Sequence, residues 1–176
     1  MLIFVTGIST SGKSTMATEL SRRGYKAYDL EHNGMSAWFH KQTGTRDAEF
    51  GQVPERTKAW MDAHEWRISI DKVRDIAASV GDKAVFLCGG GANEQEVIAL
   101  CDVVVWLQTD EATIRQRVTA PRDHTYGTKP HELTAIIEGN QYKERQYRAL
   151  GATIIDVRRP MSVVANDMIA TIESQQ

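Results

Sequence analysis

Residues 4–15 read Phe4-Val5-Thr6-Gly7-Ile8-Ser9-Thr10-Ser11-Gly12-Lys13-Ser14-Thr15, and the Gly-x-x-x-x-Gly-Lys-Ser pattern inside them decides the fold. This is the phosphate-binding P-loop pattern, and the chemistry explains its spacing. Backbone N–H groups can surround a polyphosphate only where side chains stay clear, so the turn is bounded by Gly7 and Gly12. The helix that follows points its N-terminus, the positive end of its dipole, at the phosphates. Lys13 then reaches the β- and γ-phosphates, and the Ser14 hydroxyl ligates Mg²⁺. Ser9, Ser11 and Thr15 complete the nucleotide-binding candidates. The flanks agree with the motif. Leu2-Ile3-Phe4-Val5 is a short apolar strand, and Met16 and Leu20 fall four apart on one face of a helix through Ser21.

Downstream, Gly24 is a natural stop for that helix after Arg22 and Arg23. Lys26 to Leu30 reads as a short strand with Asp29 at its carboxyl end, where open α/β sheets bind ligands. One of Asp29 and Glu31 is expected to hold Mg²⁺ through water or to accept the proton of an attacking hydroxyl; a solvated strand end is the competing reading. Residues 32–80 read as a helical region covering a small substrate. A short helix is expected around Ser36 to Gln42. A long helical stretch is expected from Pro54 to about Val80, with Trp60, His64, Arg67, Asp71 and Arg74 at helical spacing. Arg67 is a candidate for gripping an anionic substrate, whereas His64 and Trp66 read as packing or surface groups.

Ala84 to Cys88 is a continuous apolar run, as a fully buried parallel strand requires. It leads into Gly89-Gly90-Gly91-Ala92-Asn93, where missing side chains allow a ligand close to the backbone. A short helix over Glu94 to Leu100 follows. Asp102 to Leu107 is the next buried strand, and Thr109 or Asp110 caps the following helix. Pro121 interrupts that helix, and the polar, turn-rich stretch up to Pro130 makes residues 118–132 a lid. Leu133 to Leu150 is helical again, with Arg145 a substrate-side candidate. A last strand over Ala152 to Val157 and a helix over Ser162 to Ile172 end the pattern. Five strands alternating with helices imply a three-layer α/β/α fold on a five-stranded parallel sheet, in one domain spanning 1–176.

Composition narrows the partners. Over 176 residues, 41% are hydrophobic and 25% charged, and the formal net charge is −2. This suits a soluble globular protein and gives no reason to expect nucleic acid or an anionic membrane as a partner. Cys88 and Cys101 sit in apolar surroundings and read as free thiols, which fits a reducing compartment. The N-terminal apolar run breaks off at the P-loop, with no basic leader, and no run approaches the ~20 apolar residues of a membrane helix. A cytoplasmic protein is expected.

Four anchors resemble a known group over essentially the whole chain: the P-loop, Asp29-Leu30-Glu31, the strand ending in Gly89-Gly90-Gly91, and Asp102 to Leu107 followed by the Arg115/Arg117 helix and a lid. The group is the small P-loop kinases, including shikimate kinase and the nucleoside monophosphate kinases, and the triple glycine looks most like shikimate kinase. The resemblance implies ATP as the nucleotide. It places Asp29 near Mg²⁺ and the acceptor hydroxyl, with Gly89, Gly90 and Gly91 lining the acceptor pocket. Arg117 would lie at the lid base against the adenine, and Arg122 would swing toward the transferring phosphate. Arg67, Asn93 and Arg145 are further substrate-side candidates. Glu31 stands where shikimate kinase has Asp, and Trp66-Arg67 is the nearest counterpart of that enzyme's Phe-Arg segment. No Asp closes either central strand, so metal binding rests on Ser14, Asp29 and water. The implied activity is an ATP- and Mg²⁺-dependent transfer of the γ-phosphoryl group to a small acceptor: a nucleoside, a nucleotide or a polar metabolite. The rival is a nucleotide-binding switch, although an Asn-Lys-x-Asp guanine signature is absent from the sequence. Monomer and homodimer both stay open, with Trp38, Trp60 and Trp66 as candidates for a dimer face.

Overall fold

The computed structural model describes residues 1–49, 52, 56–120 and 126–174. Leu2–Thr6 forms β1, buried along its whole length. Lys13–Arg22 forms α1, and Gly24, at φ +86°, turns the chain into β2 (Lys26–Asp29). Then come β3 (Ser36–His40), β4 (Arg46–Glu49), α2 (Lys58–Ala63), β5 (His64–Ile68) and α3 (Ile70–Ala78). β6 (Val85–Cys88), α4 (Glu94–Ile98), β7 (Val103–Gln108), α5 (Glu111–Thr119), α6 (Pro130–Ala149), β8 (Thr153–Asp156) and α7 (Met161–Glu173) follow. Of the two expected caps, Asp110 starts α5, accepting a hydrogen bond from Thr113 N–H. Proline at the first turn begins α6 three residues earlier than the apolar pattern suggests.

The expected sheet is present. Five parallel strands pair in the order β2-β6-β1-β7-β8. β1 lies in the middle, and the chain leaves it first toward one edge and later toward the other. The carboxyl end of β1 is therefore a switch point, and the residue 7–12 loop sits there. β1 also divides the core by simple alternation. Ile3 and Val5 pack with Met16, Leu20, Val164 and Met168 of α1 and α7. Leu2 and Phe4 pack with Val73, Ile76 and Val97 of α3 and α4 on the opposite face. The result is a three-layer α/β/α architecture in which each fully buried large side chain contributes roughly 1.5–3 kcal/mol.

The region between β2 and β6 is not the helical cover expected from the sequence. Its main feature is a second, antiparallel sheet in the order β4-β3-β5. The stretch around Ser36 to Gln42 is strand β3, and the long helix from Pro54 to Val80 is replaced by α2, β5 and α3. Period two wins over period 3.6 because the ladder pairs large rings: Trp38 lies opposite Trp66 and His40 opposite His64. Such rings suit a pleated surface better than a helix. The apparent helical spacing of Trp60, His64 and Arg67 spans a junction, since α2 ends at Ala63 and β5 begins at His64. Pro54 and Pro121 lie outside the described residues.

Cys88 is buried and Cys101 half-buried, and both are free. Burial pushes the Cys101 thiol up to about 12 and raises Cys88 as well, so both are inert at neutral pH. Among the described residues no helix is long and apolar enough to cross a membrane.

Candidate active site

The loop after β1 takes its shape from two left-handed residues, Thr10 at φ +72° and Gly12 at φ +96°. A side chain on Gly7 would come within 2.6 Å of Ser11 Oγ and 3.0 Å of the Leu107 carbonyl. Both loop glycines are thus demanded by packing and conformation. Lys13, first residue of α1, folds back over the loop, and its Nζ donates to the carbonyls of Gly7 and Ile8, each at 3.1 Å. Burial pulls the Lys13 ammonium below its usual range; Glu31 and then Glu94 oppose this, while Lys143 adds to it. From α5, Arg117 Nη1 donates to the Thr10 carbonyl at 3.1 Å and Nη2 to the Val157 carbonyl at 2.5 Å. The Thr10 and Ser11 hydroxyls are buried with no hydrogen-bond partner among the described residues. A bent loop, an N-terminal helix turn, a desolvated lysine and two buried hydroxyls fit a polyphosphate.

The loop forms one end of a cleft of about 1120 Å³. Its floor holds a carboxylate that the sequence reading treated only as the start of a helix. Glu94, 7% exposed, accepts from Thr6 Oγ1 at 3.3 Å and Gly91 N at 3.1 Å through Oε1. Through Oε2 it accepts from Lys143 Nζ and Tyr147 OH, both at 2.8 Å. Burial, then the Glu94 charge, push the Tyr147 phenol well above its ordinary range, so it stays a donor.

The glycine run explains this seat. A Cβ on Gly90 would lie 2.9 Å from Glu94 Oε1, and one on Gly91 would lie 3.1 Å from the Trp66 carbonyl. Gly89 serves a different purpose, since its Cβ would lie 2.6–2.8 Å from side-chain atoms of fully buried Leu30. Gly89→Ala is therefore expected to destabilise the fold by about 1–3 kcal/mol, through overpacking. A thermal melt checks this; an unchanged midpoint would mean that Leu30 yields freely.

The cleft gathers many of the sequence-derived candidates. Gly7, Ser9, Gly12, Lys13, Ser14, Thr15 and Arg117 line it, as do Glu31, Gly90 and Gly91, whereas Ser11 is fully buried. Others lie elsewhere. Asp29 turns back on its own chain: Oδ1 accepts from Glu31 N and His32 N, and Oδ2 meets His32 Nδ1 at 2.9 Å. Arg67 pairs with Glu65 and Glu96. Asn93 clasps the backbone of Ile68, its Oδ1 accepting from N at 2.8 Å and its Nδ2 donating to O at 2.9 Å. Arg145 is exposed on α6. Arg122 lies outside the described residues. Besides Glu94, the sequence reading missed Lys143 as a cleft residue, and it took His64 and Trp66 for packing or surface groups although both line the cleft. The one available signal was the alternation of rings along β5, at His64 and Trp66.

Among the described residues there is no cluster of three or more His, Cys, Asp or Glu side chains able to hold a metal ion. A divalent cation here would rest on phosphate oxygens, the Ser14 hydroxyl and water, the pattern usual for Mg²⁺.

Residues 3–145 match the model of a family described as an AAA domain. No curated protein matches the chain. Shikimate kinase from Acinetobacter baumannii, solved in complex with shikimate, is 17% identical, with a TM-score of 0.67 over 99% of this chain and 94% of that one. A gluconokinase from Sinorhizobium meliloti 1021 is 15% identical, with a TM-score of 0.58 over 98% and 91%. Deoxyadenosine kinase from M. mycoides with bound dATP is 10% identical, with a TM-score of 0.56 over 98% and 100%. At these identities the likeness is one of fold.

Proposed function

We propose, from the premise that this chain belongs to the AAA domain family, that it is an ATP- and Mg²⁺-dependent phosphotransferase acting on a small acceptor. The observation that carries this reading is that a phosphate cradle and the buried carboxylate of Glu94 line one and the same cleft. A nucleotide switch needs the cradle; it does not need a walled second lobe with a carboxylate at its floor. The kinase names borne by the solved neighbours support the same reading.

In the proposed mechanism Lys13 leaves the Gly7 and Ile8 carbonyls for the β- and γ-phosphates, where charge builds up as the phosphoryl group moves. The Thr10 hydroxyl and the loop N–H groups hold the phosphates in place. Arg117 braces the loop through the Thr10 carbonyl. Ser14 supplies a hydroxyl to Mg²⁺, which when bound neutralises charge on the phosphate oxygens. Glu31 faces the acceptor and takes its proton. Asp29 acts as a positioning residue, because its Oδ1 holds the N–H of Glu31 at 3.0 Å. A bound acceptor displaces water from the transferring phosphate, so transfer is expected to outrun hydrolysis.

The test is ADP formation by pure protein with ATP and Mg²⁺, alone and with pooled hydroxylated metabolites. Acceptor-stimulated ADP release about tenfold or more above the acceptor-free rate is expected. Tight ATP binding without stimulation across a broad pool would move the reading to a nucleotide-binding switch.

A further inference from the structure

The wall facing the acceptor lobe is aromatic. The β3–β5 register sets Trp38 opposite Trp66 and His40 opposite His64, so four rings share one face of the small sheet. The Trp38 and Trp66 centroids lie 5.3 Å apart at 63°, and Trp60 meets Trp38 at 5.0 Å. Trp60 also stacks on His64 at 4.0 Å and 9°. The three buried cores of the described residues include none of Trp38, Trp60 and Trp66. The face is therefore not explained by packing onto the main domain. It opens instead into the cleft, where Trp38, Met61, His64 and Trp66 all lie on the lining.

The polar groups near this wall are already engaged. His64 Nδ1 meets the Trp60 carbonyl at 2.7 Å, and Nε2 meets Asp47 Oδ2 at 2.6 Å. Both ring edges are held, which leaves the imidazole as a fixed platform and not as a base. Lys41 Nζ donates to the Asp62 carbonyl at 2.8 Å, Arg56 Nε to Glu132 at 3.2 Å, and Lys143 to Glu94. A polyhydroxylated acid would have to share these donors with the partners they already hold. A flat ring needs only the indole faces.

We infer that the phosphoryl acceptor carries a planar aromatic or heteroaromatic ring that seats against Trp38 and Trp66, its hydroxyl or phosphate oxygen directed at Lys13 and Glu31. This rests on the phosphotransferase reading for the transfer step, though not for the binding. In that step the acceptor oxygen forms a bond to the γ-phosphorus, and the bond from that phosphorus to the β,γ-bridging oxygen breaks. Glu31 receives the proton of an acceptor hydroxyl, and ADP leaves.

The experiment separates the two ideas. Binding is measured by calorimetry on the full chain loaded with a non-hydrolysable ATP analogue and Mg²⁺; turnover is measured with ATP. The ring-bearing probes are adenosine, cytidine, thymidine, their 5′-monophosphates and pyridoxine. The ring-free probes are shikimate and gluconate. At least one ring-bearing probe is expected to bind and quench tryptophan emission. Its affinity should fall about tenfold or more in Trp66→Ala and recover largely in Trp66→Phe, with affinity for the ATP analogue unchanged. The analogue titration and the Phe variant guard against a misfolded Ala variant. Ring binding without turnover upholds the ring seat at Trp38 and Trp66 and overturns the phosphotransferase reading. Turnover with shikimate or gluconate and no ring binding does the reverse. Binding of neither class, with the analogue still bound, overturns the inference.

Discussion

Replacing Lys13 by Ala is expected to lower acceptor-dependent ATP turnover by about 10²–10³-fold, the loss typical of one electrostatic group aimed at a transferring charge. The fold should survive. Lys13 is a desolvated cation whose partners are the Gly7 and Ile8 carbonyls, both part of a loop that Arg117 also braces. The pH dependence carries a further signature. Burial lowers the Lys13 pKa from its ordinary 10.5 in the folded state. Its destabilising effect is therefore fully present below the folded pKa and fades as pH rises toward 10.5, because the unfolded chain then binds the extra proton. Wild type should gain stability relative to Lys13→Ala across that alkaline window. Urea melts of both proteins between neutral pH and about pH 10 would show it, and parallel curves would mean that Lys13 is better solvated than its burial implies. Turnover within about threefold of wild type would remove Lys13 from the mechanism.

Glu94→Ala is expected to cost about 3 kcal/mol of stability. The carboxylate satisfies four donors on three parts of the chain: Thr6 of β1, Gly91 of the glycine turn, and Lys143 and Tyr147 of α6. Removing it strands a buried phenol and deprives an ammonium of its counter-ion, and losing one partner of a buried pair typically costs about 3–5 kcal/mol. Lys143 keeps 35% of its side chain exposed, which places the estimate at the lower end. For a domain of this size the melting midpoint should fall by about 6–12 °C. Glu94→Gln retains an acceptor for Tyr147 and Thr6 and should lose less. A Glu94→Ala midpoint within about 1 °C of wild type would mean that water replaces the carboxylate without penalty.

The main sheet was legible because each of its strands announces itself alone. β1, β6 and β7 are uninterrupted apolar runs in the middle of the sheet, and the P-loop supplied both the first turn and the direction of the site. The small sheet was not legible, because its evidence is pairwise. Trp38 and Trp66 identify a strand pair only once they are known to lie opposite each other, and β4 and α2 come between them in the chain. Local spacing instead suggested a helix running through His64. The site divided in the same way. The phosphate end is a contiguous motif and could be read directly, whereas Glu94, Lys143 and Tyr147 converge from α4 and α6 and carry no shared signature in sequence. Asp29 sits at the strand end expected of it, its side chain accepting from the N–H groups of Glu31 and His32, while Glu31 lies on the cleft lining.

The clasp between Asn93 and Ile68 gives the small sheet a mechanical role. With the Ala92 N–H bonded to the Trp66 carbonyl at 2.7 Å, it rivets the last residues of β5 to the turn that begins α4. That turn also carries the N–H that holds Glu94. Three hydrogen bonds thus tie the strand that carries Trp66 to the turn that seats Glu94, so a shift of one is expected to be felt by the other.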